Sequence, residues 1–271
     1  VFARTGRAET HRSAVAGYVR SGMVHLPASV FVERPTIGRV VTRTRPVRLG
    51  DVDARARLRL DAVARSLQDI ATDDATDADL DDAFGWVVRR TMIEVRRAAG
   101  LDEQLELSTF CAGTGRSWAE RRTSITGERG AAIEAVSLWI RVDPTSGRPT
   151  GLGDAFVSAY GAAAAGRRVS SRLQLPEPHP GAHRRPWELR RVDIDPLGPV
   201  NNAAQWAIVE ETLPTDGSRR GVAEVEHRAP VDPPSGAPLD LVTDTTSTGV
   251  RSSWLAAGDV VLTAARWTPA P

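Results

Sequence analysis

Lysine is absent from this chain: all 35 basic residues are arginine. With Ala, Arg, Gly, Pro and Asp abundant, that points to a GC-rich coding bias, so no single arginine is a functional signal. Cysteine occurs once, at Cys111, which excludes a disulfide within the chain. Its place in the alternating run 105–112 predicts a small buried side chain rather than a nucleophile. No apolar run reaches the ~18 residues of a membrane span. Nor is there a Gly-x-Ser-x-Gly elbow, a phosphate loop or a dinucleotide fingerprint. The formal net charge of +1 gives no global field, and no nucleic-acid partner is expected. The five histidines, His11, His25, His179, His183 and His227, lack the spacing of a zinc site. The first 22 residues are Arg-rich and have no signal-peptide core, and the first methionine is Met23. A natural start near Met23, a flexible extension over 1–28 and a cytoplasmic location are therefore expected.

What is present suits a globular protein of one large domain or two of ~130 residues: 271 residues, 41% hydrophobic and 25% charged. Strand-like runs at 30–32 and 40–47 precede a helical pattern at Leu60, Val63, Ala64, Leu67, Ile70 and Ala71. The acidic stretch 73–82 reads as a solvated loop or short helix. Strand periodicity returns over Trp86–Arg97, 105–113, 118–126 and 131–142, with a turn at 127–130. A connector with an Ala run and Pro176, Pro178, Pro180 and Pro186 is expected over 161–186.

The pattern then restarts: strand at 187–193, helix at 202–211, strands at 222–228, 239–247, 251–256 and 260–267. Asp51 and Asp53 fall on Asp193 and Asp195 at a shift of 193 − 51 = 142. Further on, Ile93-Glu94-Val95 matches Ala223-Glu224-Val225, and Trp139 is set against Trp267. One helix followed by antiparallel strands, twice, is the order of a hotdog fold repeated. The expected class is α+β, a double hotdog with halves at 29–160 and 187–271, each a sheet wrapped around a long helix.

The chemistry is expected in 193–206. Here a strand end and a Gly/Pro turn lead to Asn201 or Asn202 as a helix cap. Free N–H groups at a helix start suit a carbonyl oxygen turning negative, and Asp195 is placed to act as general base. Val200 and Trp206 flank the segment as candidate substrate contacts. Glu224, Glu226 and His227, on the strand that follows, are candidates for a second carboxylate and a surrogate base.

That segment resembles the second-half signature of acyl-acyl-carrier-protein thioesterases, Asp-x-Asp-x-x-x-His-Val-Asn-Asn. The stretch 48–69, Gly85-Trp86-Val87-Val88-Arg89-Arg90 with Ile93-Glu94-Val95, and Ser137-Leu138-Trp139-Ile140 are similar to further family segments. The resemblance runs from about Gly38 to Trp267. It implies hydrolysis of a fatty acyl thioester on acyl carrier protein, with no metal or organic cofactor and the acyl chain beside the first helix. In the family the catalytic set includes the second Asp of the signature, an Asn two residues on, a His two further, and a Glu-Cys pair on a following strand. Here the Asp is Asp195, the Asn position holds Leu197 and the His position Pro199. The Glu-Cys pair falls near Arg228 and Ala229. Leucine cannot position a water and proline cannot shuttle a proton, so slow turnover is one expectation. Two alternatives stand beside it: a protein that binds acyl chains or acyl carrier protein without turnover, and a hotdog enzyme on coenzyme A thioesters. The clusters Arg89–Arg90, Arg96–Arg97 and Arg121–Arg122 read either as a docking face for acidic carrier protein or as solvated faces. The sequence leaves a homodimer open.

Overall fold

The computed structural model describes residues 30–80, 85–196, 198–214, 217–232 and 238–270. The expected extension 1–28 and Leu197 lie outside them. Among the described residues alternating polarity yields ten strands. In the first half they are β1 (Val40–Pro46), β2 (Trp86–Arg97), β3 (Gln104–Thr114), β4 (Trp118–Gly127) and β5 (Ala132–Arg141). In the second they are β6 (His183–Trp187), β7 (Gly221–His227), β8 (Leu239–Thr245), β9 (Arg251–Ala257) and β10 (Val260–Pro269). All join one antiparallel sheet ordered β1-β3-β4-β5-β2-β7-β10-β9-β8-β6. Outward from the β2–β7 junction, both halves run in the same order.

The pairing at that junction makes the repeat explicit. Ile93 lies opposite Ala223, Thr91 opposite Val225 and Val95 opposite Gly221. At a shift of 223 − 93 = 130 these pairs exchange equivalent residues, so a local two-fold runs between Ile93 and Ala223. The tryptophans are not equivalent. Trp267 lies opposite Ala223, whereas the first-half residue opposite Ile93 is Ala135, not Trp139.

Among the described residues three α-helices accompany the sheet: α1 (Leu60–Asp77), α2 (Asp154–Ala164) and α3 (Ala207–Glu210), the last entered through a 3-10 turn at Ala204–Trp206. The apolar stripe of α1 packs with Trp206, Ile208 and Val209 into one core that also takes side chains from both halves of the sheet. This is the double hotdog of the repeat, with the second helix much reduced. Thr212 turns its hydroxyl back onto the Val209 carbonyl, and Pro214 follows. Proline has no N–H to continue a helix.

Four further expectations change. The run 30–32 lies outside the strands. The acidic stretch is helical through Asp77 because the stripe continues from Ile70 to Asp74, which is buried and paired with Arg39 and Arg121. The Ala run belongs to α2, which packs on β3 beside Cys111 and Phe110. Gly38 admits this approach: at φ +95°, an added Cβ would sit 2.3 Å from the Ala163 nitrogen. The second half begins earlier, with β6 at His183, while Arg191–Asp193 forms a 3-10 turn.

Beyond α2 the chain crosses the outer face of the second half. Glu226 accepts the N–H groups of Gln174 and Leu175, and the Trp254 indole donates to the Pro176 carbonyl at 2.8 Å. Among the described residues no helix is long and apolar enough to cross a membrane.

Asp74, 1% exposed, neutralises two arginines on the buried side of α1. Asp74→Ala should cost about 3–5 kcal/mol, chiefly by leaving the guanidinium of Arg121 uncompensated, since Arg39 keeps Asp77. Asp69→Ala, at a carboxylate 67% exposed beside Arg45, should cost under about 1 kcal/mol. Urea unfolding of both variants checks the contrast, and equal losses would contradict it.

Candidate active site

Asp193 organises the chain ahead of the second helix. Its carboxylate accepts the Arg190 backbone N–H at 2.9 Å and the Arg190 guanidinium at 2.7 Å, while its carbonyl accepts the Asn201 N–H at 2.7 Å. A bridge from Ile194 to Val200 closes the loop. At its tip the Asp195 N–H donates to the Pro199 carbonyl and the Gly198 N–H to the Asp195 carbonyl.

The first half repeats this loop around Asp51, with the bridge Val52 to Leu58 and bonds from Asp53 to Arg57, Ala56 to Asp53 and Arg59 to Asp51. Asp53 is thus the counterpart of Asp195. Burial works against its charge, but N–H groups of Arg55 and Arg57 and the side chains of Arg57 and Arg219 outweigh that and bring its pKa to about 2. Arg219 also holds Glu210 at 2.8 Å, and Glu210 accepts the first N–H of α1, from Leu60, at 2.6 Å. The first-half helix start is sealed by ion pairs.

At the second-half start, Asn202 stands where Leu60 stands in the first half, and Gln68 where Glu210 does. A small pocket of about 10 Å³ remains, lined among others by Gln68, Asn202, Thr91, Ser137, Trp139 and His227. That is room for about one water. Thr91 and Ser137 hydrogen-bond one another at 3.1 Å. His227 places Nδ1 2.9 Å from Gln205 Oε1. Burial, and after it the Arg89 guanidinium, push its pKa down to about 3.

Of the residues expected to act, Asn202, Trp206 and His227 line this pocket. Asn201 closes a turn ahead of the helix rather than capping it, its Oδ1 accepting the Ala203 N–H at 2.8 Å. Asp195 is half-buried in the preceding turn. Val200 is buried, its N–H donating to the Val231 carbonyl at 2.7 Å. Glu224 and Glu226 must be corrected. Strand alternation turns them away from His227 to the outer face, where Glu224 pairs with Arg266 and Glu226 holds the connector. The expected helix-end donor also changes, because seven residues of 3-10 turn and α3 replace a long helix. Arg121 faces α1 and pairs with Asp74, while Arg122, on the other face of β4, pairs with Glu134; both side chains are largely buried, so they offer no solvated docking face.

Gln68, Thr91, Ser137, Trp139 and Gln205 are not among the site residues expected from the sequence. One signal was available: at the repeat shift of 142, Gln205 falls on Val63, a polar residue on a buried helix face. A second cavity, of about 210 Å³, lies between the C-terminal half of α1 and α2, lined by Ala71, Ala75, Leu80, Cys111, Phe156 and Trp139 among others. Burial pushes the Cys111 thiol up, so it serves as wall rather than nucleophile.

Residues 38–160 match the family model for the acyl-ACP thioesterase N-terminal domain. An uncharacterized protein found in two strains of Mycobacterium tuberculosis is 32% identical over 235 residues, 85% of this chain and 92% of its own length. The chain belongs to the acyl-ACP thioesterase family. Its fold is shared with the 12:0-ACP thioesterase from Umbellularia californica, at a TM-score of 0.70 and 21% identity over 85% of this chain and 98% of that one. An acyl-ACP thioesterase from Bacteroides thetaiotaomicron also has a TM-score of 0.70, with 16% identity over 84% and 96% of the two chains. In this member the family's double hotdog carries its polar pocket on one side of the pseudo-two-fold.

An unfolded histidine titrates near 6.5, the folded His227 near 3. Between those values the unfolded chain binds the proton first. The stability owed to the neutral imidazole is complete above about pH 6.5 and lost progressively as pH falls toward 3. By about pH 4.5 that loss should be on the order of 2–3 kcal/mol. Urea midpoints should therefore drop further between neutral and acid pH in the unsubstituted protein than in His227→Gln, and equal drops would contradict the assignment.

Proposed function

We propose that the protein hydrolyses fatty acyl thioesters carried on acyl carrier protein, releasing free fatty acid. The observation that carries this reading is Trp139, which lines both the apolar cavity and the polar pocket. A chain lying in the cavity contributes ~0.8 kcal/mol of binding per buried CH₂. Its thioester carbonyl then meets the polar groups around Asn202, and the sulfur leads away toward the carrier. Family membership, and a fold shared with a thioesterase acting on a 12:0 acyl carrier protein, support the substrate class. The reading needs no metal or organic cofactor and sets the protein in the cytoplasm, in fatty acid biosynthesis.

One observation favours binding without turnover: Pro199 occupies the motif His position and spends its carbonyl on the Asp195 turn. Thiol release separates the readings. Dodecanoyl-, palmitoyl- and oleoyl-acyl carrier protein should be hydrolysed, and faster than the matching coenzyme A thioesters. The reverse preference would favour a coenzyme A enzyme. Bound acyl carrier protein without thiol release would favour the binding reading. Ala75→Phe narrows the cavity and should lower kcat/KM for oleoyl substrate about tenfold or more, with octanoyl substrate affected least. An unchanged chain-length profile would place the acyl chain elsewhere.

A further inference from the structure

Two buried polar atoms of residues lining the small pocket have no hydrogen-bond partner among the described residues: Nε2 of His227 and Nε1 of Trp139. They are opposite in kind. Gln205 donates through Nε2 to the Val200 carbonyl at 3.2 Å, so its Oε1 faces Thr263 and His227. The Thr263 hydroxyl donates to that oxygen at 2.5 Å, and Nδ1 of His227, 2.9 Å away, donates to it as well. The imidazole proton is thereby fixed on Nδ1, and Nε2 keeps its lone pair. An indole nitrogen can only donate. Leaving a buried donor and a buried acceptor open costs about 1–3 kcal/mol each. A carbonyl oxygen and a water would satisfy both.

We propose that His227 is the general base and Trp139 an oxyanion donor for the hydrolysis, an inference that rests on the thioesterase reading above. The pocket has room for about one water. Its oxygen attacks the thioester carbon while one of its protons passes to His227 Nε2. The carbonyl electron pair moves onto oxygen, which accepts a hydrogen bond from the Trp139 N–H. On collapse the C–S bond breaks, the sulfur takes the proton from the imidazolium, and a carboxylic acid and a thiol leave. The oxyanion forming nearby raises the proton affinity of the imidazole when it is needed. Gln205 and Thr263 are positioning residues: they hold the tautomer and touch no reacting atom.

The test is turnover of dodecanoyl- and oleoyl-acyl carrier protein by the unsubstituted protein, His227→Gln, Trp139→Phe and Asp195→Asn, with a melting curve for each. In His227→Gln, kcat should fall about 10²–10⁴-fold. In Trp139→Phe, which keeps an aromatic ring and removes the N–H, it should fall about 10²–10³-fold. KM should change little in either. If His227→Gln fails to fold, Trp139→Phe decides. Turnover retained in both overturns the assignment while the thioesterase reading stands. So does turnover lost in Asp195→Asn but kept in His227→Gln. Loss in only one of the pair overturns the role of the other residue. No hydrolysis by the unsubstituted protein overturns the thioesterase reading, and this inference with it.

Discussion

The pairing of β2 with β7 is the constraint on which the rest of the molecule depends. Each strand would otherwise end its half-sheet as an unpaired row of N–H and C=O groups. Joined in antiparallel register about Ile93 and Ala223, they turn two half-sheets into one and let a single core run under both halves. The edges that remain, β1 and β6, are short and carry Arg43, Arg45 and Pro46 or Arg184, Arg185 and Pro186. Those are residues that discourage pairing with another chain.

The same junction brings the two helix starts against opposite ends of one seam, where each half packs on the other. Duplication made these places equivalent, and substitution made them different. In the first half Glu210 caps Leu60, and Arg219 joins it to Asp53. In the second, neutral Gln68 and Asn202 occupy the corresponding positions and leave a pocket. A closed ion-pair network serves as a joint. An open cluster with unpaired polar atoms is a costly feature to retain in a core unless something occupies it.

The divergence also explains why the residues nearest the pocket are not those the motif emphasises. The backbone bonds of Asp195 with Pro199 and Gly198 repeat those of Asp53 with Arg57 and Ala56, so they are a property of the repeat. The departures at the pocket lie on other elements: Gln68 on α1, Trp139 on β5, Gln205 beside α3 and His227 at the end of β7. They meet only because β7 lies on β2 and β2 on β5.

The sequence alone determined every strand but β6, which lies at His183–Trp187 rather than 187–193, together with the entry of α1 and the duplication. These follow from local periods, from turn chemistry and from a shift readable along one line of text. It misjudged the extent of α1 at Asp74, because a buried carboxylate looks solvated until Arg39 and Arg121 arrive from distant segments. It grouped Glu224 and Glu226 with His227 as neighbours in sequence, although adjacent strand positions face opposite sides of a sheet. The tertiary structure decided which helix start stayed open, which atoms were left unpaired, and that an apolar cavity meets a polar pocket at Trp139. Those outcomes depend on side chains far apart along the chain sharing one small volume, and no local pattern encodes that.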